Sequence, residues 1–230
     1  MTRHNDREQA IILRKKGMSY SQIKEKLGVG KSTLSLWLRD MPLSEARLKE
    51  LCHRSERQIE RTRETKRKKR IARLQDVYLR LTKELGGLSE RELYIAGFFL
   101  YWGEGLKADR YTVMFTNTDP AMVKTFIRWI ALLGVQRSDL KVYLHLYEDM
   151  HIPDAIAYWS KELSIRKDRF RKPYIKKTVE QKRKNYKGRF GFGTCNIYIT
   201  NRDIREKIAA AIAYFRETYG GVAFDPEKAV

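Results

Sequence analysis

The chain has 230 residues, with 48 lysines and arginines against 28 aspartates and glutamates, so its formal net charge is +20. This length has room for one small domain and one of ordinary size, and the charge excess favours a polyanionic partner. No apolar run approaches the ~20 residues that a membrane-spanning helix needs, and no signal-peptide pattern opens the chain. Cys52 and Cys195 lie far apart without metal-ligand spacing, which is typical of a cytoplasmic protein without disulfides.

The N-terminal region contains the stretch KLGVGKSTLSLW, from Lys26 to Trp37, which has two interpretations. A phosphate-binding P-loop needs an apolar strand and a first glycine five positions before Gly30. Glu25 stands at that position, and the residues before it are polar with helical periodicity. We therefore exclude the P-loop, and predict that residues 1–42 form a three-helix, helix-turn-helix domain.

Capping residues and apolar positions at helical spacing mark the predicted helices. Ser19 or Ser21 is expected to cap the second helix, and Gly28 to end it. Ser32 or Thr33 is expected to cap the third helix. The residues predicted to face the core of this domain are Ala10, Ile11, Leu13, Ile23, Leu27, Leu34, Trp37 and Leu38.

The outward positions of the third helix are mostly short polar or basic residues, which fit a major groove and reach base edges and phosphates. They are Lys31, Ser32, Thr33, Ser35, Leu36 and Arg39. Roughly residues 5–41 resemble the helix-turn-helix of resolvases and transposases. That resemblance implies that the third helix reads double-stranded DNA, and a plain three-helix packing unit is the alternative.

A glycine-free and proline-free stretch runs from Leu43 to Leu85. We predict a long basic linker helix over residues 43–87, broken at most once, that joins two domains. Its middle, RTRETKRKKR, lies along a DNA backbone or is simply solvated, and both interpretations stay open. Its apolar positions at helical spacing are Leu48, Leu51, Ile71, Leu74, Tyr78, Leu81 and Leu85.

Residues 88–230 alternate between helical and strand patterns, so the predicted class is α+β. Ser89 and Glu92 form a capping box before the apolar helix ERELYIAGFFLYWGE. The predicted order continues with the strand RYTVMFTN, the helix DPAMVKTFIRWIALLG, the strand LKVYLHLYE and the helix PDAIAYWSKELS. A basic segment, the strand TCNIYIT and the helix DIREKIAAAIAYFRETY follow.

The hexapeptide LYWGEG, from Leu100 to Gly105, ends the apolar helix and looks like the LYLGDG variant of the LAGLIDADG motif. The stretch FTNTDPAMVKTFIRWIALLGV also resembles that family, and the similarity covers roughly residues 90–218. It implies an αββαββα domain related to homing endonucleases. In this sequence Phe99 stands where the family has a small residue, and the small residues Ala96 and Gly97 come earlier.

Two LAGLIDADG helices pack side by side, and each places an acidic residue beside the scissile phosphates, where the pair holds divalent metal ions. Carried over to this chain, the catalytic, metal-binding acid is Glu104, with Gly105 beside it and Mg²⁺ as the implied cofactor. Because the chain has one copy of the motif, the resemblance implies a homodimer through the 90–104 helix. Lys107, downstream of the motif, is a candidate phosphate contact.

Two predicted strands alternate between an apolar face and a polar, aromatic face. Val142, Leu144 and Leu146 face inward on the first. We predict that the outward residues of both strands contact DNA: Lys141, Tyr143, His145, Tyr147, Asn196 and Tyr198. Residues 166–189 hold 12 basic and 2 acidic residues. The candidate phosphate contacts in that segment are Arg171, Lys172, Lys176, Lys177, Arg183 and Lys184.

Together these patterns predict a site-specific, double-stranded DNA-binding protein in the cytoplasm, associated with the nucleoid. The LAGLIDADG resemblance implies a homodimeric, magnesium-dependent nuclease, a hydrolase of DNA phosphodiesters. The alternatives are a transcriptional regulator that binds DNA on the same scaffold without cleaving it, and an RNA-binding protein. No pattern indicates a small-molecule substrate or a membrane partner.

Overall fold

The computed structural model describes residues 3–51, 54–176 and 191–225. The chain divides into two compact units, Met1–Gly86 and Gly87–Val230. The first is helical and the second combines helices with a four-stranded mixed sheet, so the α+β class is confirmed. In the part of the chain that is described, no helix is both long and apolar enough to cross a membrane.

The first unit consists of helices α1 to α5. They span Arg3–Lys15, Tyr20–Leu27, Lys31–Trp37, Glu45–Glu50 and Arg54–Leu85. The long helix predicted after residue 42 is thus broken once, between α4 and α5. The predicted linker covers residues 43–87, and all of it except Gly87 falls in the same compact unit as the three N-terminal helices.

The ends of α2 and α3 follow different capping rules. Ser19, one of the two predicted candidates, caps α2 through a capping box with Gln22, and Gly28 ends this helix with φ 67° as predicted. The prediction that Ser32 or Thr33 caps α3 is wrong. Gly30 is the N-cap, and glycine has no side chain that could accept a capping hydrogen bond. Both hydroxyl residues therefore lie in the first turn of α3.

A buried ion pair joins the start of α5 to the helical bundle. Glu60 accepts hydrogen bonds from Arg14 Nη1 at 3.0 Å and Nη2 at 2.8 Å, and also from the backbone nitrogen of Tyr20 at 3.0 Å. Both charged side chains are buried. The first part of α5 is therefore an integral part of this unit. The apolar core beside it is formed by Ala10, Tyr20, Ile23, Leu34 and Leu38.

The second unit contains four described helices and four described strands, besides two short 3₁₀ turns. In chain order they are α6 (Glu90–Glu104), β1 (Thr112–Asn117), α7 (Pro120–Leu132), β2 (Lys141–Tyr147), α8 (Ile152–Leu163), β3 (Tyr174–Lys176), β4 (Thr194–Thr200) and α9 (Arg202–Gly220). The strand order is β1-β4-β2-β3, with β4 antiparallel to both neighbours and β3 parallel to β2.

One face of this sheet is apolar and shares a core with the helices, in which Trp129 and Trp159 are fully buried. The buried sheet residues are Val113, Phe115, Val142, Leu144, Leu146, Cys195, Ile197 and Ile199. Burial raises the pKa of the Cys195 thiol, which keeps it protonated. The opposite face is only partly buried, and it is called the open face below.

The element order differs from the expected αββαββα pattern. Between α6 and α7 there is one regular strand, and only an isolated bridge from Gly105 to Phe115 precedes it. The loop before β1 is held by the buried Arg205, which donates to the carbonyl oxygens of Asp109 and Lys107 at 2.9 and 3.1 Å. A backbone hydrogen bond from Leu106 N to Met114 O at 2.9 Å also joins this loop to β1. The helix α8, expected from its own pattern, separates β2 from β3.

Gly97 is the position where α6 contacts α7 most tightly. A Cβ at this position would overlap the indole ring of the buried Trp129, whose Nε1 donates to Tyr94 O at 3.0 Å. We expect Gly97→Ala to lower the free energy of unfolding by about 3 kcal/mol, since overpacking displaces the ring. Urea denaturation measures this change.

The matched control is Gly103→Ala in the same helix, where an added Cβ meets nothing within 4 Å. It should leave stability unchanged or raise it by about 0.5–1 kcal/mol, because alanine favours the helix. Equal effects of the two substitutions would contradict the close α6–α7 packing.

Candidate nucleic-acid interface

The open face of the sheet carries polar and aromatic side chains contributed by all four strands. Within the described residues it is formed by Thr112, Met114, Thr116, Lys141, Tyr143, His145, Tyr147, Tyr174, Lys176, Thr194, Asn196, Tyr198 and Thr200. None of these is acidic, and two are lysines. Such a surface presents hydrogen-bonding groups and positive charge without a carboxylate to repel phosphates.

Four rings form a continuous row across this face. The centroid of Tyr143 lies 5.8 Å from that of Tyr198 and 5.2 Å from that of His145. His145 is in turn 5.2 Å from Tyr174, its direct partner on β3. The row exists because β2 lies between β4 and β3, so residues distant in sequence become neighbours.

Burial shifts the pKa of the two central groups of this row, His145 and Tyr143. Burial, and next the nearby Lys176, lower the pKa of His145, so its imidazole offers one donor and one acceptor. Burial, and next Tyr198, raise the pKa of Tyr143, which keeps its hydroxyl protonated. Positive charge on the face therefore comes from Lys141 and Lys176, while the row supplies hydrogen bonds.

Asn196 does not take the outward role predicted for it. Its side chain is 1% exposed. It accepts from Thr116 Oγ1 at 2.7 Å and donates to Tyr143 O at 3.3 Å. The Asn196 amide therefore links β4 to β1 and to β2 by hydrogen bonds. Strand alternation identifies its face correctly, but cannot show that neighbouring side chains cover it.

The basic segment after α8 lies partly within the described residues. Arg171 and Lys172 are exposed, and the backbone nitrogen of Arg171 donates to Val142 O at 2.7 Å, so the segment is attached to β2. Lys176 is on β3. The other predicted phosphate contacts, Lys177, Arg183 and Lys184, lie outside the described residues.

Helix α3 has the predicted division between a buried and an outer side. Leu34 and Leu38 are fully buried, whereas Trp37, expected in the core, is only partly buried. Of the six predicted contacts, the exposed ones are Ser32, Leu36 and Arg39, and the partly exposed ones are Lys31, Thr33 and Ser35.

The outer side of α3 forms one wall of a cleft of about 420 Å³, and α5 forms part of the other. The α3 wall includes Ser32, Ser35, Leu36 and Arg39, and the α5 wall includes Arg63, Lys66, Arg67 and Arg70. This placement of α5 beside α3 was not predicted. Arg63 Nη2 of α5 donates to Lys31 O of α3 at 3.4 Å, and the Arg14–Glu60 pair also holds α5 to this unit. The local sequence has no signal for either contact.

Positive charge dominates this cleft. Its carboxylates have basic partners: Glu60 pairs with Arg14, Glu64 with Arg67 at 2.9 Å, and Asp40 with Arg39 at 3.5 Å. The guanidinium of Arg63 stacks over the Tyr20 ring at 4.0 Å. Arg63, Lys66 and Arg70 add charge beyond these pairs, which suits phosphate groups running beside a helix.

Glu104 is the last residue of α6 and is exposed. The Gly105 nitrogen after it donates to Tyr101 O at 2.7 Å, and a Cβ on this glycine would overlap the Tyr101 ring. Lys107 is also exposed, with its carbonyl held by Arg205. The helix end and the following loop are thus fixed, while the carboxylate is accessible.

One copy of the chain does not fit a magnesium site. The described residues contain no group of three or more His, Cys, Asp or Glu side chains placed to hold a metal ion. Mg²⁺ is usually bound by one or two carboxylates together with water and substrate phosphates. Glu104 with Gly105 of a single copy supplies one carboxylate, and a second copy would have to supply another.

The outer face of α6 differs from the close-packing surface that the family resemblance implies. Gly97 points inward to Trp129, while Ala96, Phe99 and Gly103 are exposed. The ring of Phe99 lies 4.6 Å from Phe215 of α9. A second copy docking on α6 would therefore meet an aromatic side chain where the family has a small one.

Comparison of the chain with protein-family models, with curated proteins and with solved structures gives no match. Function is therefore inferred from two surfaces, the open sheet face and the α3–α5 cleft. They belong to different compact units, and both combine basic side chains with hydrogen-bonding groups.

Proposed function

We propose that the protein binds double-stranded DNA in a sequence-specific manner. The observation that carries this proposal is the open face, where a row of tyrosine and histidine rings stands between lysines with no acidic residue among them. Tyrosine hydroxyls and a neutral imidazole are hydrogen-bonding groups that recognise base edges and phosphates. The net charge of +20 favours association with any polyanion, and the row adds selectivity.

Helix α3 is proposed as the second reading element. Its exposed Ser32, Leu36 and Arg39 suit contacts within a major groove. The basic side chains of α5 that line the same cleft suit the phosphates beside that groove. The resolvase-like helix-turn-helix resemblance and the positive cleft support the same assignment independently.

DNA cleavage is proposed for a dimer only. Two copies docked through α6 would bring two Glu104 carboxylates together, as in LAGLIDADG homing endonucleases. The exposed position of Glu104 at the end of α6 supports this arrangement. The single carboxylate per chain and the exposed Phe99 favour the alternative, a transcriptional regulator that binds DNA without cutting it.

A Glu104→Gln variant separates the two functions. If the protein is a nuclease, this variant should lose Mg²⁺-dependent cutting, because the amide removes a ligand charge, and should retain DNA affinity. Glu90→Gln, a similar change of an exposed residue at the other end of α6, should affect neither property. Undiminished cutting by Glu104→Gln would remove this residue from the catalytic site.

Incubation with a randomised duplex library, with and without Mg²⁺, tests the proposal as a whole. Retention of a defined subset of sequences in both conditions supports specific binding, and products formed only with Mg²⁺ support cleavage. Failure to enrich any sequence would contradict the proposed specificity.

A further inference from the structure

The C-terminal half of α5 carries an exposed apolar stripe, called here the α5 seam. It consists of Ile71, Leu74, Tyr78, Leu81 and Leu85, which are 38%, 51%, 70%, 43% and 68% exposed. Their spacing alternates between three and four residues. These are the a and d positions of a heptad repeat, the pattern by which two helices pack along a common seam.

Nothing in the described part of the chain buries this half of the helix. The N-terminal part is held by Glu60, but every residue from Lys68 to Leu85 is exposed. The seam is about 22 Å long at a rise of about 1.5 Å per residue. Helical stability in proteins comes mainly from packing of an apolar face, and here that face is exposed.

We propose that the α5 seam packs against the same seam of a second copy as an antiparallel two-helix coiled coil. Charge selects this partner and this orientation. The seam region contains Arg73, Asp76, Arg80, Lys83 and Glu84 and is nearly neutral, whereas five consecutive basic residues, KRKKR, precede it at 66–70. Parallel pairing would place the two basic runs side by side. Antiparallel pairing separates them.

One antiparallel register pairs four of the five seam residues and the charged positions beside them, and it sets Leu85 opposite Arg67. Placing Leu74 opposite the second copy's Tyr78 also sets Ile71 opposite Leu81. The flanking positions then pair Arg70 with Glu84 twice, once at each end, since the pairing is symmetric. Val77, 37% exposed, meets its own copy at the centre, which adds apolar contact at the two-fold axis.

This contact goes beyond the proposed DNA-binding function. It is located on the first compact unit, whereas the dimer proposed through α6 belongs to the second. It requires no DNA, so its failure and a failure of DNA binding are distinguishable. It also explains why a long basic helix ends in an apolar stripe that the described residues of its own chain leave exposed.

Cysteine cross-linking tests the seam in the full-length protein without DNA. Val77→Cys in a Cys52→Ser background should form a covalent dimer with a short bismaleimide. Cys195 is buried and stays unreactive. Leu79→Cys, 60% exposed but outside the seam, is the matched control, and should give at least tenfold less dimer. Equal yields at the two positions, or no dimer at Val77→Cys, would overturn the proposal.

Two added variants identify the contact that holds the dimer. Leu74→Glu with Leu81→Glu should remove the Val77→Cys dimer, and circular dichroism checks that the helices remain. Phe99→Glu on α6 should leave the yield unchanged. Loss of the dimer in Phe99→Glu, with no effect of the seam variants, would assign self-association to α6 and contradict the α5 seam.

Discussion

Affinity for duplex DNA is expected to fall by about 10³ to 10⁵-fold between about 50 and 200 mM salt, the range for six to ten phosphate contacts. The chain carries a net charge of +20, and basic side chains line the α3–α5 cleft. Each lysine or arginine that neutralises a phosphate releases condensed counterions, and added salt opposes that release. Fluorescence anisotropy of a labelled duplex at several salt concentrations measures the slope.

Single substitutions in the α3–α5 cleft test which side chains contact phosphates. Lys66→Gln should reduce the slope of log affinity against log salt by about 0.9, the loss of one phosphate contact. Lys161→Gln, on the exposed side of α8, should not change it. A flat salt response of the wild-type protein would show that phosphate neutralisation does not drive binding.

Glu60→Ala should destabilise the first unit by about 3–5 kcal/mol, the range for removing one partner of a buried ion pair. The substitution leaves the Arg14 guanidinium, itself buried, without its bidentate carboxylate. It also removes the acceptor of the Tyr20 backbone nitrogen. Chemical denaturation followed by far-ultraviolet circular dichroism measures the change, since this unit is helical.

Glu64→Ala provides the comparison within the same helix. Its pair with Arg67 is partly exposed, so the expected cost is about 0–1 kcal/mol. A Glu60→Ala variant as stable as Glu64→Ala would contradict the role of the buried pair in joining α5 to the helical bundle.

Features that depend on short-range patterns were predictable from the sequence. Alternation with a period of two identified the two faces of β2, because side chains of a strand point to opposite sides of a sheet. The serine cap of α2, predicted at Ser19 or Ser21, and the glycine end of this helix follow from local hydrogen bonding. The change of pattern after Gly86 likewise corresponds to the boundary between the two compact units.

Features that depend on distant contacts were not predictable in this way. The burial of Asn196 results from Thr116 and Tyr143, which are brought to it by the strand order. The contacts between α5 and the first helices join residues far apart in the sequence, as in the Arg14–Glu60 ion pair, which spans 46 residues. Arg205 donates hydrogen bonds to the loop after Glu104, but in the sequence it lies near the C-terminal end of the second unit. No local pattern therefore predicts this contact.

The most direct test of the central claim, that the open sheet face binds duplex DNA, compares two triple variants by anisotropy titration. The first variant alters the open face by Lys141→Gln, Tyr143→Phe and His145→Gln. The second is the control and makes the same three changes at exposed positions on the helices or at their ends, namely His151→Gln, Lys161→Gln and Tyr219→Phe. The face variant should bind at least about a hundredfold more weakly, given about 1–3 kcal/mol per base contact, and the control should match the wild type. Equal affinities of the two variants would contradict the claim.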